Sequence, residues 1–202
     1  MTVKIAVLVS GRGSNLQAII DSIEKGHINN ARISVVISNK ADAYALERAR
    51  KYGIDAVFLD PAGHDRAGYD REILNILAEH DTDLLLLAGY FRLLGSEIIE
   101  AYRHRVLNIH PSLLPAFKGL HAQRQAFEYG VKVAGCTVHF VDEGLDSGPI
   151  ILQSCVPVLP GDTEETLTAR ILEQEHIIYP EAVRLFVEGK LKVEGRNVIA
   201  LD

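Results

Sequence analysis

A chain of 202 residues makes one domain or slightly more, enough to bury a continuous core without disulfide or metal staples. Hydrophobic residues at 48% and charged residues at 24% exclude a disordered, collagenous or disulfide-scaffold protein. With 21 Lys+Arg against 27 Asp+Glu the net charge is −6, which leaves no global positive field for a polyanion, and apolar runs such as Leu84 to Ala88 fall far short of the ~20 residues a membrane-spanning helix needs.

Val3 to Val9 is shorter than a signal-peptide core and runs into Gly11-Arg12-Gly13 without a small-residue cleavage pattern, so Ile5 to Val9 reads as a strand. Leu16 to Lys25 follows as a helix, with apolar residues at 16, 19, 20 and 23 on one face and Gly26 ending it. Ile33 to Ser38 is the second strand, Ala41 to Tyr52 a helix closed by Gly53, and Ala56 to Leu59 the third strand. Tyr69 to His80 is helical with Ile73, Leu74, Ile76 and Leu77 inward, and Asp83 to Tyr90 enters a fourth strand whose leucines suit burial on both faces. This alternation is the signature of βαβ units and a parallel sheet.

Beyond a short helix near Glu97 to Tyr102, Val106 to His110 is a fifth strand, followed by the Pro-rich loop Pro111 to Gly119. His121 to Tyr129 is a helix; Gly135 to Val141 and Ile150 to Val158 are strands joined by too few residues for a crossover helix, hence antiparallel. Asp162 to Glu188 is a long helical pattern that Pro180 is expected to kink, and Leu191 to Val193 with Val198 to Leu201 make a terminal hairpin. The expected fold is a Rossmann-like α/β domain, a mostly parallel twisted sheet flanked by helices, with antiparallel strands in the C-terminal half. Without repeats or linkers, residues 1–202 read as a single domain with halves of about 1–100 and about 101–202. Cys136 and Cys155 are too few for a framework and too far apart for a CxxC motif; they read as small packed apolar residues in a reducing compartment, the cytoplasm.

Three segments hold residues capable of chemistry. Ser10-Gly11-Arg12-Gly13-Ser14-Asn15 lies between the first strand and the first helix, where backbone N–H groups and the helix dipole meet an anion. It is neither a dinucleotide fingerprint nor a P-loop; it suits one phosphate, or is a plain glycine turn with Ser14 or Asn15 as N-cap. Asn108 and His110 are alternate residues of the fifth strand and project to one face, setting an amide donor beside an acid/base; the plain alternative is a histidine satisfied by backbone. The turn Asp142 to Pro149 has three acids and two glycines but no EF-hand pattern, which leaves a solvated loop or an orienting partner for His110, best supplied by Asp146. The other histidines, His139 among them, have no metal-ligand spacing and read as structural or surface residues.

Asn108-Ile109-His110-Pro111-Ser112-Leu113-Leu114-Pro115 with a distal Asp146 resembles the hallmark of the folate-dependent formyltransferases. The resemblance extends through Ser10-Gly11, Gly13 to Gln17, Ser38 to Ala41, Ala88-Gly89, Gly119 to His121, Thr137 to Val141, Gly148 to Ile150 and Gln174 to His176. It implies a single formyltransferase domain whose first half binds a mononucleotide phosphate and whose second half is catalytic and folate-binding. It also implies an activity: the amine of glycinamide ribonucleotide, in purine synthesis, attacks the formyl carbon of 10-formyltetrahydrofolate, a co-substrate, with no metal. Asn108 and protonated His110 match the residues that stabilise the resulting oxyanion. Asp146 matches the acid that holds His110 charged and relays the amine proton through water. Gly13, Ser14 and Asn15 resemble the phosphate cradle, and Glu175 the residue holding the ribose or amine end. Arg66, Phe91, Arg92, Leu93 and Leu94, with Asn108 and the loop Asp142, Glu143, Gly144, Leu145 and Asp146, resemble the folate pocket, where both arginines suit an anionic glutamate tail. Phe91 stands where a methionine is frequent, and Arg12 is one of several residues found between the glycines.

The expected partners are these small molecules, with neither nucleic acid nor membrane, and the protein a monomer or homodimer. Two relatives compete. Methionyl-tRNA formyltransferases resemble this domain with an added C-terminal barrel, whereas this chain stops at Asp202; formyltetrahydrofolate deformylases resemble it behind an N-terminal regulatory domain, whereas here the phosphate loop begins ten residues in. A non-catalytic mononucleotide-binding module has no reason to retain Asn108, His110 and Asp146 together.

Overall fold

The aliphatic run at the N-terminus forms strand β1 (Val3–Val9), whose residues from Ile5 to Val9 are fully buried, as a central strand covered on both faces requires. The computed structural model describes residues 2–201, which divide into two units, one running to Asn108 and the other beginning at Ile109. In the first unit β1 is followed by α1 (Ser14–Glu24), β2 (Ala31–Ser38), α2 (Tyr44–Lys51), β3 (Asp55–Phe58), α3 (Arg66–Glu79), β4 (Leu84–Leu87), α4 (Ser96–Ala101) and β5 (Val106–His110), whose last two residues enter the second unit. The strands are parallel in the order β3-β2-β1-β4-β5. The order reverses between β1 and β4, so the loops leaving those strands open at a topological switch point, where α/β sheets place ligands.

Local hydrogen bonding moves several element ends from their expected places. The Lys40 carbonyl accepts both the Ser38 hydroxyl at 2.9 Å and the Ala43 N–H at 3.3 Å, which makes a turn of the residues expected to open α2 and delays that helix to Tyr44. Asp65 accepts the Gly68 N–H at 2.7 Å, an N-cap that starts α3 at Arg66, three residues before Tyr69. β4 comprises only the four leucines, because Gly89 turns the chain at φ 72°.

The second unit contains α5 (Ala122–Tyr129), β6 (Val133–Phe140), β7 (Ile150–Pro157), α6 (Glu164–Val187), β8 (Leu191–Glu194) and β9 (Asn197–Ala200). β6 and β7 are antiparallel, with Thr137 opposite Gln153. β8 and β9 form the expected hairpin, and β9 also pairs with β7 in parallel at Ile150 and Asn197, a junction the local pattern does not encode. Helix α6 opens with a capping box between Thr163 and Thr166 and runs as one element through Pro180, as the long helical pattern predicts. Tyr179, Pro180, Ala182 and Val183 are all buried there, and the packing of α6 on β6 and β7 offsets the missing backbone donor. Cys136 is buried as expected, whereas Cys155 is exposed on β7, opposite Gly135. Among the described residues no helix is long and apolar enough to cross a membrane.

Candidate active site

His110 closes β5 with only 5% of its surface exposed. Its Nε2 lies 2.9 Å from the Phe117 carbonyl and its Nδ1 3.4 Å from Asp146 Oδ2. A carbonyl and a carboxylate only accept, so both ring nitrogens face acceptors. The Nε2 contact has the length of a formed hydrogen bond, while the Nδ1 contact is longer than the ~2.7–2.9 Å of a tight charge-assisted one. Nδ1 therefore makes the weaker of the two contacts.

Asp146 takes the left-handed conformation, φ 45°, and its Oδ2 also accepts the Gly119 N–H at 2.8 Å. His139, on β6 and 2% exposed, stands on the carboxylate's other side with Nε2 3.8 Å from Oδ1. Its Nδ1 contacts the Phe140 carbonyl at 2.8 Å, and burial pushes its pKa down, toward the neutral ring. The loop that delivers Asp146 is braced by its own side chains and by the β8–β9 turn. Asp142 Oδ1 accepts the Gly144 N–H at 3.1 Å and the Ser147 hydroxyl at 2.6 Å; Arg196, from the β8–β9 turn, donates to the Ser147 carbonyl at 2.9 Å; and a Cβ at Gly148 would run into the Phe140 carbonyl. Leu145 is exposed beside Gly119. Asn108 is two residues before His110 on β5, so strand alternation turns the two side chains the same way.

Glu175 is buried on α6, close enough to Cys136 for its charge to add to desolvation and push that thiol up to about 12. Beside it Gln174 accepts the Ser154 hydroxyl at 2.7 Å.

The first unit holds the glycine loop and the 91–95 segment. Gly13 is the N-cap of α1 at φ 70°, and no side chain caps that terminus; the alternative of Ser14 or Asn15 as N-cap is not realised. The loop is fastened to α2 instead. The Gly11 carbonyl accepts the Ala45 N–H at 3.1 Å, Arg48 Nε donates to the Arg12 carbonyl at 2.9 Å, and a Cβ at Gly13 would stand 2.6 Å from Ala45 Cβ. This draws the loop carbonyls toward α2, beside the N-terminal end of α1 where Ser14 and Asn15 sit.

At the switch point, Ser10 donates its N–H to the Gly89 carbonyl and its hydroxyl accepts the Phe91 N–H at 3.0 Å. Arg66 donates to the Leu94 carbonyl, Asp70 accepts the Gly95 N–H at 2.7 Å, and the Arg92 guanidinium lies 4.6 Å above the Tyr69 ring. Burial raises the Asp70 carboxyl above its ordinary range. Leu94 is buried, whereas Phe91 and Leu93 are 61% and 60% exposed. A braced backbone with apolar side chains turned to solvent is what a flat aromatic ligand packs on.

The expected residues thus gather in part: His110 with Asp146, and Arg66 with Leu94. Sequence reasoning missed His139, Gly119, the Phe117 carbonyl and Arg48. The available signal for His139 was its spacing of two from Thr137 on a strand buried along its whole length after Val133. Among the described residues no cluster of three or more His, Cys, Asp or Glu is placed to hold a metal.

The pattern of the formyl transferase family matches residues 3–183. The chain is 48% identical over 199 residues to phosphoribosylglycinamide formyltransferase of Escherichia coli K12, covering 98% of this chain and 93% of that protein. Its fold matches the crystal structure of glycinamide ribonucleotide transformylase 1 from Symbiobacterium toebii with a TM-score of 0.97 at 58% identity, over 100% of this chain and 95% of that one. A formyltetrahydrofolate deformylase from Pseudomonas syringae pv. tomato matches with a TM-score of 0.93 at 26% identity, over 100% of this chain and 67% of that one.

Proposed function

This chain belongs to the formyl transferase family, and on that premise we propose that it moves the formyl group of 10-formyltetrahydrofolate to the amine of glycinamide ribonucleotide, giving the N-formyl ribonucleotide and tetrahydrofolate in purine synthesis. The observation that carries the chemistry is the buried contact of His110 Nδ1 with Asp146 at 3.4 Å. Identity of 48% to a transferase against 26% to a deformylase supports an amine rather than water as acceptor.

In this reading the amine attacks the formyl carbon, the new C–N bond forms, and negative charge develops on the formyl oxygen. The Asn108 amide and the His110 Nδ1–H donate to that oxygen, a preorganised pair of the kind worth ~10²–10³-fold in rate per donor. Asp146 balances the charge of the doubly protonated ring and takes up the proton released by the amine, through one water. The same proton passes to the folate nitrogen as its bond to the formyl carbon breaks, so protons and bonds balance without an added reactant. His139, whose pKa burial lowers, stands on the other carboxylate oxygen.

Gly13, Ser14 and Asn15 hold the ribonucleotide phosphate, and Glu175 its ribose or amine end. Arg66, Phe91, Arg92, Leu93 and Leu94, with Asn108 and the loop Asp142, Glu143, Gly144, Leu145 and Asp146, hold the folate. The whole chain acts as one formyltransferase domain, supported by a family match that runs through both units. It works in the cytoplasm, in keeping with two free cysteines, as a monomer or homodimer. Following a carbon-labelled formyl group tests the reading: label recovered in the ribonucleotide supports it, and label recovered as formate overturns it in favour of hydrolysis.

A further inference from the structure

The loop between β5 and α5 supplies the carbonyl that faces His110, and its course is set by two side chains of the β6–β7 ladder. Thr137, fully buried on β6, donates its hydroxyl proton to the Ser112 carbonyl at 2.7 Å and accepts the Leu114 N–H at 3.1 Å. Directly across the ladder, Gln153 of β7 donates from Nε2 to the Leu114 carbonyl at 3.0 Å and to Thr137 Oγ1 at 2.9 Å. The hydroxyl has then used its proton and both lone pairs, and the amide nitrogen both its protons, so the pair has one orientation. Farther along, the Ser112 hydroxyl donates to the Ala116 carbonyl at 2.6 Å, and the next carbonyl, that of Phe117, meets His110 Nε2. Phe117 sits at φ 52°, a conformation a bulky residue keeps only where its surroundings over-determine it.

We propose that Gln153 is a positioning residue for His110: by tying Leu114 to Thr137 it holds the Phe117 carbonyl against Nε2, which fixes the ring's orientation and leaves Nδ1 as the working N–H beside Asp146. This rests on the catalytic reading of His110. An imidazole on a strand end can turn over about its last torsion, exchanging each nitrogen for a carbon, and a fixed acceptor at Nε2 is what selects one of the two settings.

Gln153→Met tests the assignment, because it keeps the length of the side chain and removes both donors at an exposed position where the fold is expected to hold. Formyl-transfer kcat should fall about tenfold, the cost of a misoriented group, while both KM values stay within about twofold. The 15N ring resonances of His110, assigned by their loss in His110→Ala, should shift. Thr137→Val added to Gln153→Met should cost less than the sum of the two, since both act on the same loop. An unchanged kcat with unmoved His110 resonances would overturn the proposal, as would a raised KM with intact kcat, which would assign Gln153 to substrate binding. If His110→Ala itself retains full turnover, the catalytic reading fails, a result distinct from failure at Gln153 alone.

Discussion

Asp146 presents one carboxylate oxygen to His110 Nδ1 at 3.4 Å and the other to His139 Nε2 at 3.8 Å, from a backbone held in the left-handed region at φ 45°. A non-glycine residue in that conformation costs ~1–2 kcal/mol, and at this position the geometry aims a charge at a buried ring. His110→Ala and Asp146→Asn should each retain the wild-type melting temperature within a few degrees and lower formyl-transfer kcat by ~10²-fold or more. Steady-state kinetics beside thermal melts check this; near-normal turnover in both variants would remove the pair from the reaction.

Gly13→Ala should raise the KM for the ribonucleotide about tenfold and leave the folate KM unchanged. The added Cβ meets Ala45 Cβ at 2.6 Å at a φ of 70°, so the loop must shift off α2 and its amides turn from the phosphate. The measurement is substrate saturation with each substrate varied in turn.

Gly95→Ala should have the opposite selectivity. Its Cβ would collide with Asp70 Oδ2, break the N–H bond that anchors the 91–95 segment, and raise the folate KM several-fold with little effect on the ribonucleotide. Equal effects on the two KM values would separate this segment from the folate.

Asp162 carries a pH signature. Arg170 makes two bonds to its carboxylate at 2.8 Å and the Leu159 N–H a third at 2.6 Å, and the Arg170 guanidinium chiefly holds the carboxyl far below its ordinary range. A folded-state pKa below the unfolded ~3.9 gives stability that is complete above that value and lost as pH falls toward the folded one. Asp162→Asn should therefore melt below wild type at neutral pH, and the gap should narrow on acidification below about pH 4. Paired melts at neutral pH and near pH 3 check the sign.

Much of the architecture is legible in the sequence because it rests on local signals. The β-rich runs and amphipathic helices appear at their periodicities, and Val106 to His110 is a strand at its expected ends. The pairing of Asp146 with His110 also follows from a motif and a distal acid. What escapes is set by contacts between distant segments. Pro180 withholds a backbone donor inside α6, and the burial of its neighbours that offsets this is visible only in the packed fold. Gln153 is unremarkable in sequence and gains its position only when β6 and β7 pair in the register that sets it opposite Thr137. His139 lacks metal spacing and reads as structural, and only the loop carrying Asp146 brings a carboxylate to it. Arg196 lies in a hairpin turn and becomes a brace because β9 docks on β7.

The account stands most directly on one spectrophotometric assay of tetrahydrofolate release from 10-formyltetrahydrofolate, run with and without glycinamide ribonucleotide and with no metal added. Release that depends on the ribonucleotide is the predicted result; equal release without it, or none in its presence, would contradict formyl transfer to that amine.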